Sequence, residues 1–102
     1  MSDIRHVRRV LMKRILEGAG KASPCERRAA FNNSGLPEPQ AALVDKVARY
    51  AYAVTDEDIA AVRKSGLNED QVFEIVVCAA VGQATRQYEG ALAALEAATR
   101  KE

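Results

Sequence analysis

The chain is predicted to be an all-α protein, and three observations carry that reading. Apolar residues recur at helical spacing, residues suited to capping helices stand at the starts of those stretches, and no segment shows sustained apolar–polar alternation. Asn-Gly and Asp-Gly hairpin turns are also missing from the 102 residues. The expected architecture is a bundle of about five helices with a long, buried C-terminal helix.

The first helix is placed from about Asp3 to Glu17, with Ser2 as its cap and Gly18 and Gly20 ending it. Ile4, Val7, Val10, Leu11 and Ile15 share one side at helical spacing, and Arg5, Arg9 and Lys13 line the other. Ser23-Pro24-Cys25-Glu26 then reads as a cap, a first-turn proline and a capping-box glutamate. They open a short helix that stops near Asn33-Ser34-Gly35, a stop reinforced by Pro37 and Pro39. A third helix is expected over roughly Glu38 to Val54, carrying Leu43, Val44, Val47, Ala48 and Ala51 inward.

Thr55 can cap a fourth, amphipathic helix beginning at Asp56, with Asp58 as a weaker form of the capping box, and Gly66 breaks that helix. Asn68 caps the last helix, with Gln71 reaching back, and that helix is expected to run to Arg100. From Val72 to Val81 it is apolar on every side, the mark of a helix buried in a core or in an oligomer interface. Ala79, Ala80, Gly82, Ala84, Gly90, Ala91, Ala94 and Ala98 follow, small residues that let helix axes approach closely. Glycine inside a helix costs roughly 1 kcal/mol relative to alanine, so Gly82 and Gly90 suggest a tight contact or a bend. Gly90 is the better bend candidate.

Composition excludes several function classes. With 48% hydrophobic and 28% charged residues and a net charge of +1, the chain is neither disordered nor strongly electrostatic. At this length it forms one domain, residues 1–102, and oligomerisation would help it, because small folds bury a smaller fraction of their surface. The Val72–Val81 run is far shorter than the ~20 residues needed to span a bilayer, and charges fill the N-terminus where a signal peptide would be apolar. No membrane is expected, and the cytoplasm is the expected compartment. Two cysteines far apart and one histidine, His6, make neither a disulfide framework nor a zinc site, and no metal or other cofactor is expected.

The arrangement of a helix, then VTDEDIAAVRKSGLNEDQVFEIVVCAA, then an Ala-rich helix resembles the AhpD-like alkylhydroperoxidase and carboxymuconolactone decarboxylase superfamily. The resemblance covers about Ala41 to Leu95 and places a family-like core over residues 38–100, behind a basic amphipathic helix in residues 1–20. Its most characteristic element is Ser65-Gly66-Leu67-Asn68-Glu69-Asp70-Gln71 leading into Val72-Phe73-Glu74-Ile75. The resemblance implies an all-helical fold assembling into homo-oligomers, dimer to hexamer. In the peroxidase branch it also implies a CxxC pair with a following histidine and an upstream glutamate. The segment that should hold that motif, Tyr50 to Asp58, has no cysteine and no histidine, and the acid–base histidine of the decarboxylase branch also has no counterpart. No catalytic residue carries over.

The remaining candidates come from the residues themselves. Cys25 sits at the second position of a helix, where the N-terminal dipole, Arg27 and Arg28 favour a negatively charged sulfur and Glu26 opposes one. Cys78, within an apolar run, reads as a small buried hydrophobe and is the only available partner. A peroxiredoxin-like alkylhydroperoxidase activity would rest on Cys25, with or without Cys78. Gln83, Arg86, Gln87 and Tyr88 interrupt the apolar helix and must find partners if buried. One reading makes them a pocket in which Arg86 holds a small anionic ligand beside Tyr50, Tyr52 or Glu74. The other makes them an intersubunit network, Arg86 pairing with Glu74 or Asp45 of a neighbour. The basic face of Arg5, Arg9 and Lys13, with Arg8, Arg14 and His6, is either solvated or an adaptor surface for an acidic partner. It lacks aromatic residues for stacking on bases, so nucleic acid is not the expected partner. Asp56, Glu57 and Asp58 read as a helix cap and not a metal site. The leading expectation is therefore a homo-oligomeric binding or structural subunit without the redox pair.

Overall fold

Side chains that hand their oxygens to the backbone fix where the helices begin. In the computed structural model, which describes residues 2–100 and side chains from residue 5 onward, the order is α1 (Ser2–Glu17), α2 (Pro24–Asn32), α3 (Gln40–Tyr50), α4 (Asp56–Lys64) and α5 (Glu69–Arg100). No strand occurs among the described residues, so the chain is all-α. The capping role of Ser2 and the inward place of Ile4 lie outside the described side chains.

Three reciprocal capping boxes form among the described residues. The Glu26 amide donates to Ser23 Oγ while the Ser23 amide donates to Glu26 Oε1, both at 3.0 Å. Thr55 and Asp58 exchange the same pair of bonds at α4, at 2.9 and 3.2 Å. Asn68 and Gln71 do so at α5, both at 2.8 Å. Each box satisfies amides that a helix start leaves without partners. Asn33 ends α2 in the left-handed conformation (φ 51°), and Gly66, at φ 114°, makes the turn between α4 and α5 where a side chain would be strained.

All five helices feed one core. Leu16 of α1, Ala30 and Phe31 of α2, Leu43 and Val44 of α3, Val62 of α4, and Val72, Ile75, Cys78 and Ala79 of α5 form a single buried cluster. α5 is the spine. At 32 residues it spans about 48 Å, close to the molecule's long dimension of 54 Å.

Three expectations need correction. The third helix is shorter than Glu38 to Val54. Glu38 precedes a proline, which disfavours helical backbone there, and Tyr50 leaves the helical path (φ −140°, ψ 53°) into a 3-10 turn, Ala51–Ala53. Ala51 consequently faces solvent. Val7, Val10 and Leu11 of α1 are exposed, because α1 is anchored near its C-terminal end through Leu16 and the half-buried Met12 and Ile15. Finally, Val72–Val81 is not covered on every side: Val72, Ile75, Cys78 and Ala79 are buried, whereas Phe73 is 67% exposed and Ala80 is open.

The two helical glycines of α5 differ. A methyl group on Gly82 would drive into the backbone of Phe31, so this glycine permits the tight α2–α5 contact; around Gly90 there is open space, and α5 runs on through it as one helix.

Candidate functional site

The two thiols lie in different surroundings. Cys25 is exposed at the start of α2, and Cys78 is buried in α5; both are free. Burial pushes the Cys78 thiol above its ordinary value of 9.0, outweighing the opposing pull of the Arg27 charge, and Glu74 adds to the rise. Its sulfur lies 3.8 Å from the Ile15 carbonyl oxygen. A protonated, packed thiol is a poor nucleophile.

Glu74 faces the α1–α2 loop and not Arg86. The Lys21 amide donates to both of its carboxylate oxygens, at 2.9 and 2.8 Å, and the Ala22 amide donates to Oε2 at 2.9 Å. Gly20 makes this possible, since a methyl group there would collide with the carboxylate. Beside this loop a cavity of about 200 Å³ opens between α1, α2 and α5, lined by Arg14, Ile15, Ala19, Arg27, Phe73, Glu74, Val77 and Cys78. Arg27 is only 5% exposed; Nη1 donates to the Ile15 carbonyl at 3.1 Å, while its Nε has no partner. It thereby closes the C-terminal end of α1, whose last carbonyls need donors.

Arg86 also serves the main chain. Its Nη1 donates to the Phe31 carbonyl at 2.6 Å and its Nη2 to Gln83 Oε1 at 3.0 Å. The same carbonyl lies against Gly82, one turn earlier in α5, so two positions of α5 receive the end of α2. Arg86 and Gln83 join Asn32, Asn33 and Arg49 around an open polar hollow of about 390 Å³. That hollow is internally satisfied: Arg49 pairs with Asp45 at 2.8 Å, and Asn33 donates to Asp45 at 2.9 Å. The Asn33 bond, with Arg49 assisting, holds the Asp45 carboxyl below its usual range.

The other candidates are scattered. Tyr50 packs edge-on against Tyr52, ring centroids 6.3 Å apart, with both rings mostly exposed, and Gln87 lies exposed beyond the hollow. Arg5, Arg9 and Lys13 are exposed on α1, and Arg8 stacks 4.3 Å above the Tyr88 ring. Asp58 caps α4 and takes the Lys46 ammonium at 2.9 Å; that bond, with the Thr55 amide, lowers its carboxyl. No group of three metal-ligating side chains occurs among the described residues, and no described helix is long and apolar enough to cross a membrane.

Sequence reasoning weighed Arg27 only as a neighbour of Cys25. The signal was available, since Arg27 stands three and four residues before Ala30 and Phe31 and so shares their inward face. Asn33 and Arg49 were missed because their partner, Asp45, belongs to another helix or another turn. Among protein-family models, curated proteins and solved structures, none matches this chain.

Proposed function

We propose that this chain is a structural or binding subunit of a helical homo-oligomer, AhpD-like in its helix–glycine–helix signature and without thiol-peroxidase chemistry. The observation that carries the reading is an excess of exposed, partly apolar surface. A compact monomer of 11.1 kDa exposes about 5,700 Å², whereas this chain exposes 7139 Å². The difference, about 1,400 Å² on one chain, exceeds the ~800 Å² that each partner of a standard specific interface buries. The radius of gyration, 15.6 Å, likewise exceeds the ~13 Å of a globular chain of this length.

Apart from Tyr50 and Tyr52 after α3, the exposed large apolar side chains lie on α1 and α5. Val7, Val10 and Leu11 of α1, with Phe73, Tyr88 and Leu95 of α5, are all about half exposed or more. A second copy supplies complementary charge, because the basic α1 face would meet the exposed Asp56, Glu57, Glu69 and Asp70 at the starts of α4 and α5. Against a two-cysteine peroxidase cycle stand the buried, protonated Cys78 and the absence of a CxxC pair in the sequence. An Arg86 ligand site is disfavoured, since Arg86 is exposed and its guanidinium is tied to the Phe31 carbonyl and to Gln83.

Sedimentation equilibrium tests the proposal. A mass that is a multiple of 11.1 kDa is expected, and Leu11→Glu with Leu95→Glu should return the monomer with its helical circular dichroism unchanged. A monomer at every concentration would refute the assembly.

A further inference from the structure

We infer that the cavity between α1, the α1–α2 loop, α2 and α5 binds a small monocarboxylate with a short apolar body, held through Arg27. The inference goes beyond self-association and does not depend on it. A guanidinium carries five N–H donors, yet among the described residues only the Nη1 bond to Ile15 is made; Nε is sealed from solvent without a partner, which leaves the Nη2 group to meet a ligand in the cavity. Arg27 is 5% exposed, and among the described residues no carboxylate lies within ion-pairing distance of it: Glu74, beside it in the same wall, directs its oxygens to the Lys21 and Ala22 amides. A buried cation left this way is costly and calls for an anion.

The walls select the kind of anion. Ile15, Ala19, Phe73 and Val77 offer apolar surface, and Arg14 adds an exposed cation. Glu74 is also in the wall, its oxygens engaged by the Lys21 and Ala22 amides. With Arg27 and Arg14 against Glu74 the wall carries one net positive charge, which a monoanion balances and a dianionic phosphate would exceed. The volume, about 200 Å³, is below the ~300–1,000 Å³ of pockets for drug-sized ligands and suits a molecule of benzoate size.

Benzoate, with benzyl alcohol and inorganic phosphate as controls, tests this on the ¹⁵N-labelled full chain by nuclear magnetic resonance. Saturable shifts of the Arg27 Nε–Hε signal and of the Ala19 and Val77 amides are expected with benzoate. Benzyl alcohol should bind at least tenfold more weakly, equivalent to about 1.4 kcal/mol. Val77→Phe, which fills the cavity, should abolish the shifts while the spectrum stays dispersed, and Arg14→Gln, at an exposed position, should weaken binding severalfold should the former variant not fold. No saturable shift, equal binding of benzyl alcohol or of phosphate, or undiminished binding by a folded Val77→Phe chain would each overturn the assignment.

Discussion

At the residue scale, a side chain's role here follows from what lies within a few ångströms of it, and the two thiols and two helical glycines show this most plainly. Cys25 is exposed and Cys78 is buried, so an aromatic disulfide reagent should modify one thiol in the native chain and two in denaturant. Rapid modification of both in the native state would contradict the packing around Cys78. Because the folded chain holds the Cys78 proton more tightly than the unfolded one, which ionises near the ordinary 9.0, its contribution to stability is full below that pH and falls as pH rises beyond it. Alkaline denaturant midpoints should therefore decline less steeply in Cys78→Ala than in the parent. The glycines give changes of opposite sign. Gly82→Ala forces a methyl group against the Phe31 backbone and should cost about 3 kcal/mol, the upper end for overpacking, because the obstacle is main chain. Gly90→Ala meets nothing and should stabilise by up to about 1 kcal/mol through helix propensity. Equal effects at both positions, by urea denaturation, would contradict these surroundings.

At the element scale, the starts of α2, α4 and α5 were legible in the sequence because each capping box is local: Ser23 with Glu26, Thr55 with Asp58, Asn68 with Gln71. Asn68→Ala should cost about 1 kcal/mol of stability, and no measurable loss would mean that packing alone starts α5. The α4 cap carries a pH signature. Lys46 and then the Thr55 amide lower the Asp58 carboxyl below 3.8, so its contribution is present above that pH and is lost as pH falls through the lower, folded value. Asp58→Asn should flatten the acid limb of the stability profile, and an unchanged limb would exclude this carboxylate as a contributor. What was not legible is long-range. Glu74 binds amides more than fifty residues away, and Arg86 reaches the Phe31 carbonyl across two helices; no spacing rule encodes either. The outward turn of Val7, Val10 and Leu11 was hidden for another reason. Periodicity shows that an apolar face exists but not whether the same chain covers it.

At the scale of the whole molecule, the question is what the uncovered faces of α1 and α5 do to a fold this small. A core assembled from a few residues of each of five helices leaves a modest stability margin, and association of folded chains would add to it by mass action, so the thermal midpoint should rise with protein concentration. The two kinds of surface proposed for the interface can be separated by salt. Leu95, 60% exposed, contributes apolar burial that salt does not screen, whereas Arg5, Arg9 and Lys13 would act on Asp56, Glu57, Glu69 and Asp70 of a second copy through charges screened over about 10 Å at 0.1 M ionic strength. Reversing Arg5, Arg9 and Lys13 to glutamate should therefore weaken association most at low salt and little at high salt. Leu95→Glu should weaken it at both. If the charge-reversed chain associates like its parent at low ionic strength, the basic face lies outside the interface, and the apolar residues of α1 and α5 must hold the assembly without it.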